Sequence, residues 1–191
     1  YIKCDILSMK DLSKTFNEDF DTIIHLAGFS NLRESVNKPL RTIELNTMAT
    51  TQILDLAVKK GIEKFILGSS AYASSDKGSF YGISKLAAEK ILEEFHSKFN
   101  LKYNILRYGS VYSEKPSHNN YLFNLIKNAL QSKVINHSSD GNEVREYIHA
   151  NDVARLTVDI MENKGYSNQS FILTGIEQFK RIDLFNMIKE I

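Results

Sequence analysis

Tyr81 and Lys85 stand four residues apart in the run Tyr81-Gly-Ile-Ser-Lys85. At helical spacing this sets a phenol and an ammonium on one face. Such a pair can move a proton to or from an alcohol oxygen while a hydride leaves or reaches the carbon that bears it. A free phenol, with a pKa near ~10, is a poor base at neutral pH unless a nearby cation favours the phenolate, and Lys85 is the obvious cation. The spacing alone is weak evidence. Nine tyrosines in a lysine-rich chain give roughly one such match by chance, and the plain alternative is a pair on a helix surface. Ser69 and Ser70, closing the preceding apolar run, add a hydroxyl that would share the substrate oxygen with Tyr81.

The elements that must hold these groups follow from the apolar pattern. Asp21 to Ala27, ending in Gly28, is a short apolar run suited to a strand buried on both faces. Lys64 to Leu67, closing on Gly68-Ser69-Ser70, and Tyr103 to Arg107, closing on Tyr108-Gly109, repeat that design. Each run stops at a small or polar cluster, where α/β sheets place ligands. Between them lie helical stripes. One opens at Pro39, includes Ile43, Leu54, Ala57 and Val58, and stops at Gly61. The other runs from Tyr81 to about Phe99 through Leu86, Ala87, Ile91, Leu92 and Phe95, a stripe that serves either the core or a dimer face. Alternation of strand and helix implies a doubly wound parallel sheet with right-handed crossovers.

After Gly109 the texture turns polar, from Ser113 to Asn120, and a domain border is expected there, with residues 1–110 in one domain and 111–191 in the other. A helix from Tyr121 to about Gln131 follows. Asp140-Gly141, flanked by Val134-Ile135 and Val144 to Ile148, predicts a hairpin. A helix over Asp152 to Met161, a strand at Phe171 to Leu173 and a last helix opening at Asp183 complete the pattern.

Composition narrows the function classes. The 24 basic and 23 acidic residues are spread evenly, for a net charge of +1, so neither a nucleic-acid footprint nor a membrane-binding patch is expected. One cysteine, Cys4, excludes an internal disulfide and zinc sites built on paired cysteines. No apolar stretch is long enough to span a bilayer and no leader pattern opens the sequence, so a cytoplasmic protein is expected. The chain starts on Tyr1, with its first eight residues reading like a strand end, which suggests a fragment.

Taken in order, seven segments resemble the extended short-chain dehydrogenases, from about Asp5 to the end of the chain. Asp5-Ile6 is similar to the pair that contacts adenine, and His25-Leu26-Ala27-Gly28 to the strand end beneath the cofactor. Glu34 to Leu40 followed by Asn46 resembles the segment of UDP-galactose 4-epimerases whose asparagine belongs to the cofactor site. Phe65 to Ala71 resembles the serine strand, which makes Ser70 the catalytic hydroxyl and puts Ser69 beside the cofactor. Tyr81 to Glu89 resembles the active-site helix, with Tyr81 and Lys85 in catalysis and cofactor binding. Leu106 to Tyr112 resembles the strand leading to the substrate, and in Asp140 to Ala154 an arginine, here Arg145, would meet a nucleotide-sugar diphosphate.

The resemblance implies a Rossmann-type sheet lacking its first βαβ elements, with a smaller C-terminal substrate-binding region. It implies NAD as cofactor, NADP staying open, and a homodimer that epimerises a nucleotide-sugar by transient hydride transfer. A keto-sugar reductase or dehydrogenase, and a cofactor-binding protein without turnover, remain as alternatives.

Three departures bear on substrate. The glycine-rich phosphate turn is not among these residues. Ten residues separate Ser70 from Tyr81, fewer than epimerases usually have. Ser110 stands at a substrate position where an asparagine is common, and Ser30 where a lysine is. Ala71-Tyr72 replaces the Asp-Glu pair of sugar dehydratases, which disfavours dehydration. His25 and His149 are expected to make structural hydrogen bonds rather than bind metal, and His96, His118 and His137 to be solvated. Gly68-Ser69-Ser70 lacks the Gly-x-Ser-x-Gly elbow of hydrolases. Arg145 could instead pair with Glu143 or Glu146, and Asn46 could face solvent.

Overall fold

The computed structural model describes residues 1–115, 120–137 and 140–190. His118 lies outside them. In chain order the elements are α1 (Met9–Thr15), β1 (Thr22–His25), α2 (Leu32–Asn37), α3 (Pro39–Ile43), a π turn (Glu44–Met48), α4 (Ala49–Lys59), β2 (Lys64–Ser70), a 3-10 turn (Ala71–Ser74) and α5 (Ser79–Phe99). There follow β3 (Lys102–Tyr108), β4 (Ser110–Tyr112), α6 (Tyr121–Ser132), β5 (Val144–His149), α7 (Ala150–Glu162), a second 3-10 turn (Lys164–Tyr166), β6 (Gln169–Leu173), β7 (Gln178–Lys180) and α8 (Arg181–Lys189).

Local chemistry sets the ends of these elements. The Asn31 side chain caps α2 by accepting from Glu34 N–H at 3.0 Å, an orphan donor that would otherwise be unsatisfied. Pro39 opens α3 at a position where its missing N–H costs nothing. Asn100 ends α5 in the left-handed region at φ 56°, which asparagine tolerates better than most residues. In β2 every residue after Lys64 is buried, as a strand covered on both faces requires.

The chain forms two compact units. The first comprises 1–108 and 159–172, the second 109–158 and 173–191. The chain thus passes between the units three times, at 108/109, 158/159 and 172/173, and the end of α7 and most of β6 belong to the first unit. The sheet order is β1-β2-β3-β6, with β2 parallel to both β1 and β3. Its core gathers Leu12, Ile53, Leu54, Phe65, Leu67, Leu92 and Ile105, and each such side chain contributes roughly 1.5–3 kcal/mol by leaving water. The stripe on α5 divides: Leu92 is fully buried, whereas Leu86 is exposed.

The second unit carries the sheet β4-β5-β7, β4 pairing parallel and β7 antiparallel with β5. The expected hairpin is absent. Val134 to His137 form no strand, and β5 finds its partners far away in sequence because strands this short are ordered by tertiary packing, not by the Asp140-Gly141 turn signal. Leu125, Leu184, Phe185 and Ile188 form the local core.

Two histidines expected in solvent are held. His96 Nδ1 lies 3.0 Å from the Leu101 carbonyl, with the ring edge-on to Tyr103. His137 is 3.5 Å from Glu143 and packs against Phe185. No helix among the described residues is long and apolar enough to cross a membrane, and no described cluster could hold a metal ion.

Candidate active site

Strand β2 delivers Ser70 to its C-terminal end, and the chain turns at once through the 3-10 turn into α5. That turn packs closely on the helix. A Cβ at Gly78 would meet the Tyr72 carbonyl at 2.7 Å and one at Gly82 would meet it at 2.6 Å, so both glycines are required for the short connection. The result sets Tyr81, in the first turn of α5, against Ser70. The Ser70 hydroxyl accepts from Tyr72 N–H at 3.2 Å and acts on the Tyr81 phenol to lower its pKa.

Burial pushes the phenol above its ordinary pKa; Ser70 works the other way, and Tyr72 adds a smaller upward push. Lys85, one turn on, points its ammonium at the Gly68 carbonyl, 2.9 Å away. The downward pull on Tyr81 thus comes from Ser70 rather than from the lysine. Lys85 itself is lowered to about 8, chiefly by burial, with Glu89 opposing that loss of charge.

The strand end of β1 is held by Asn46. Its Oδ1 accepts from Phe29 N–H at 2.7 Å, and its Nδ2 donates to the Phe29 carbonyl at 3.0 Å and to Ser84 Oγ at 2.9 Å. Asn46 is 1% exposed, so it does not face solvent; it ties the Gly28-Phe29 turn to α5. It sits in the π turn, a widening of the helix often found at functional sites. A Cβ on Gly28 would lie 2.6 Å from Asn46 Oδ1 and 3.6 Å from Lys85 Nζ, so only glycine allows this approach.

Thr50 donates to the Asn46 carbonyl at 2.7 Å and meets His25 Nε2 at 3.0 Å. A hydroxyl has one proton, so His25 must donate through Nε2. Burial, helped by the Lys85 charge, lowers His25 to about 4 and keeps it neutral.

Ser69 points to the other face of β2, where its hydroxyl donates to Glu89 Oε1 at 2.5 Å. Glu89 is fully buried and takes a bidentate contact from Arg107 on β3, at 2.6 Å from Nη2 and 3.0 Å from Nε. Sequence reasoning missed this pair. The one signal was spacing, since Tyr81, Lys85 and Glu89 recur every four residues on one face of α5.

Asp5 and Ile6 are engaged locally: the Asp5 carboxylate accepts from Leu7 N–H and Ile6 packs on the first unit's core. In the second unit, Ser110 pairs with Tyr147 across β4 and β5. The Arg145 guanidinium donates to the Val144 carbonyl at 3.0 Å. His149 bonds Glu114 at 3.0 Å. A cavity of about 670 Å³ opens between Tyr112, Tyr147, His149, Ile176, Leu184 and Ile188.

A serine, a phenol and a buried ammonium lie at the C-terminal end of a parallel sheet, and the model of the NAD dependent epimerase/dehydratase family matches residues 1–173. The chain belongs to that family.

Among its relatives is a UDP-glucuronate 4-epimerase of Thermodesulfobacterium geofontis, 26% identical over 87% of this chain and 56% of its own length. A crystal structure of the Thermotoga maritima UDP-glucose 4-epimerase with UDP-glucose superposes with a TM-score of 0.90 at 25% identity, covering 100% of this chain and 67% of that one. The Bacillus cereus UDP-glucuronic acid 4-epimerase, in complex with UDP-glucuronic acid and NAD, gives 0.89 at 29% identity over 97% and 63%. This family member therefore spans between 56% and 67% of the length of these three relatives.

The residues present suit a nicotinamide cofactor. Leu26, Ala27 and Gly28 leave an exposed, mainly apolar ledge after β1, and Lys85 uses one of its three donors on Gly68, keeping others for ribose hydroxyls.

Proposed function

We propose that the complete protein is a nucleotide-sugar 4-epimerase using NAD, and that this chain supplies its proton-transfer residues. The observation that carries this reading is that Ser70, at the end of β2, and Tyr81 and the buried Lys85, in the first turns of α5, are brought to the C-terminal end of one parallel sheet. Gly28, Leu26, Ala27 and Lys85 would hold the cofactor, which when bound supplies reversible hydride transfer. Tyr81 takes the proton from the sugar hydroxyl and returns it, while Ser70 hydrogen-bonds the same oxygen and holds it in line. Burial keeps the phenol protonated at rest, so it stands ready to donate to a keto oxygen; as a base it depends on Ser70, which lowers its pKa.

Arg145, whose guanidinium donates to the Val144 carbonyl, would meet a diphosphate, for which its planar donor fork is suited. Ser110 would touch the sugar-nucleotide nearby on the same sheet. We place the protein in the cytoplasm. We take it to be a homodimer, whose interface would cover Ile83 and Leu86, apolar residues left exposed on α5.

The test is Tyr81→Phe in the full-length protein, assayed for 4-epimerisation of UDP-glucose and UDP-glucuronate. Turnover should fall by about 10²-fold or more with NAD binding retained. Turnover near wild type on either sugar sinks the reading.

A further inference from the structure

We propose that Glu89 is a positioning residue of this site: it clamps the strand end bearing Ser70 to the helix bearing Tyr81 and Lys85, and sets a buried carboxylate one turn from Lys85. The inference rests on the epimerase reading above for the role of Lys85, but its geometry stands apart. Glu89 lies one turn beyond Lys85 on α5, with no exposed surface. An isolated carboxylate cannot be buried there at tolerable cost. It is held by three groups from two neighbouring strands: Ser69 Oγ of β2, and Nε and Nη2 of Arg107 from β3. Ser69 precedes Ser70 directly, and alternation along the strand sends the two hydroxyls to opposite faces. Fixing Ser69 to α5 therefore fixes the height of Ser70 relative to Tyr81, eight residues before Glu89 on the same helix face.

The electrostatic part follows from the groups that face Lys85. From β1 comes His25, neutral because burial holds it near 4. From β2 comes the Gly68 carbonyl, a dipole without net charge. On its own helix stand Tyr81, protonated, and Glu89. Arg107 of β3 spends its guanidinium on Glu89. Glu89 is the one group that acts to raise Lys85 against the downward effect of burial. A Lys85 that lost its proton would have one donor fewer for a ribose.

Glu89→Gln in the full-length enzyme should move the Lys85 titration midpoint below its wild-type value of about 8, read by NMR on protein labelled with 13C-lysine and assigned with Lys85→Arg. The alkaline limb of the turnover profile should move down with it, so that turnover at pH 8 drops roughly threefold or more. Glu89→Asp, which keeps the charge, should hold the midpoint near wild type. Should Glu89→Gln fail to fold with Arg107 unpaired, Glu89→Gln with Arg107→Gln removes both charges and is expected to lower the midpoint likewise. An unmoved Lys85 midpoint in a folded variant overturns the proposal. That result is separate from failure of the epimerase reading, which Tyr81→Phe reports through turnover alone.

Discussion

The two units hold their functional side chains by different means. In the first, Lys85, Asn46 and Glu89 are each bound to a named partner in the interior. In the second, Arg145 reaches a backbone carbonyl of its own strand, and His149 bonds a Glu114 whose side chain is 70% exposed. The difference matches the work proposed for each. Proton transfer loses efficiency steeply with small displacements, so its groups are over-determined; a diphosphate brings its own charge and can order an arginine on arrival. If this contrast is right, substitutions of the first kind should cost the fold heavily and those of the second kind hardly at all.

The heaviest cost is expected at Arg107→Ala. It leaves the buried Glu89 carboxylate with Ser69 as its one remaining partner, and breaking a buried pair from one side costs about 3–5 kcal/mol. Urea unfolding should show it as a lowered midpoint with the slope retained. A loss under about 1 kcal/mol would mean that the pair is no better than a surface contact and would remove the contrast.

Next comes the acid limb. His25 is lowered from 6.5 to about 4 in the folded protein, so between those values the unfolded chain binds more protons and stability rises with pH. The contribution is complete above pH 6.5 and is lost as pH falls toward 4, on the order of 3 kcal/mol across that window. His25→Gln should flatten this part of the profile, measured as unfolding free energy from pH 4 to 7. An unchanged slope would show that His25 titrates alike in both states.

Asn46→Ala ranks third. It strands the Phe29 N–H and carbonyl and takes the donor from the Ser84 hydroxyl, which keeps its bond to the Tyr81 carbonyl, at about 2 kcal/mol. It should also weaken NAD binding in the full-length protein, measured by calorimetry, because the Gly28 turn loses its tether. Tight NAD binding in a destabilised variant would confine Asn46 to the fold.

The same contrast explains what the amino-acid order disclosed. The strands β1, β2 and β3 were legible because each apolar run stops at a small or polar cluster, and α5 because its spacing persists over 21 residues; Ser70, Tyr81 and Lys85 lie near their ends, where ligands sit. Glu89 was not, since its partners Ser69 and Arg107 come from different strands, 20 and 18 residues away. The tether made by Asn46 was equally hidden, because the π turn that aims it leaves no mark in the apolar pattern. In the second unit, β4 and β7 have three residues each, too few for an alternation to show, and the turn signal at Asp140-Gly141 suggested a hairpin that long-range pairing replaced.

The smallest effect is the sharpest check on the second unit. His149 Nε2 meets Glu114 at 3.0 Å, and its Nδ1 accepts from Asn151 N–H at 3.2 Å, with the ring edge-on to Tyr112. Glu114 is fully solvated, and its carboxyl is held below the usual range mainly by a backbone hydrogen bond, with His149 second. An ion pair so open to water adds little, since solvent screens it and two side chains must be ordered to make it. His149→Gln, which keeps an acceptor near Asn151 and a donor near Glu114, should leave the thermal midpoint within about 2 °C at pH 7. It should do the same at pH 5, where a charged imidazole would matter most. A larger drop confined to pH 5 would reveal a coupled pair as constrained as those around Lys85, and would erase the distinction between the two units.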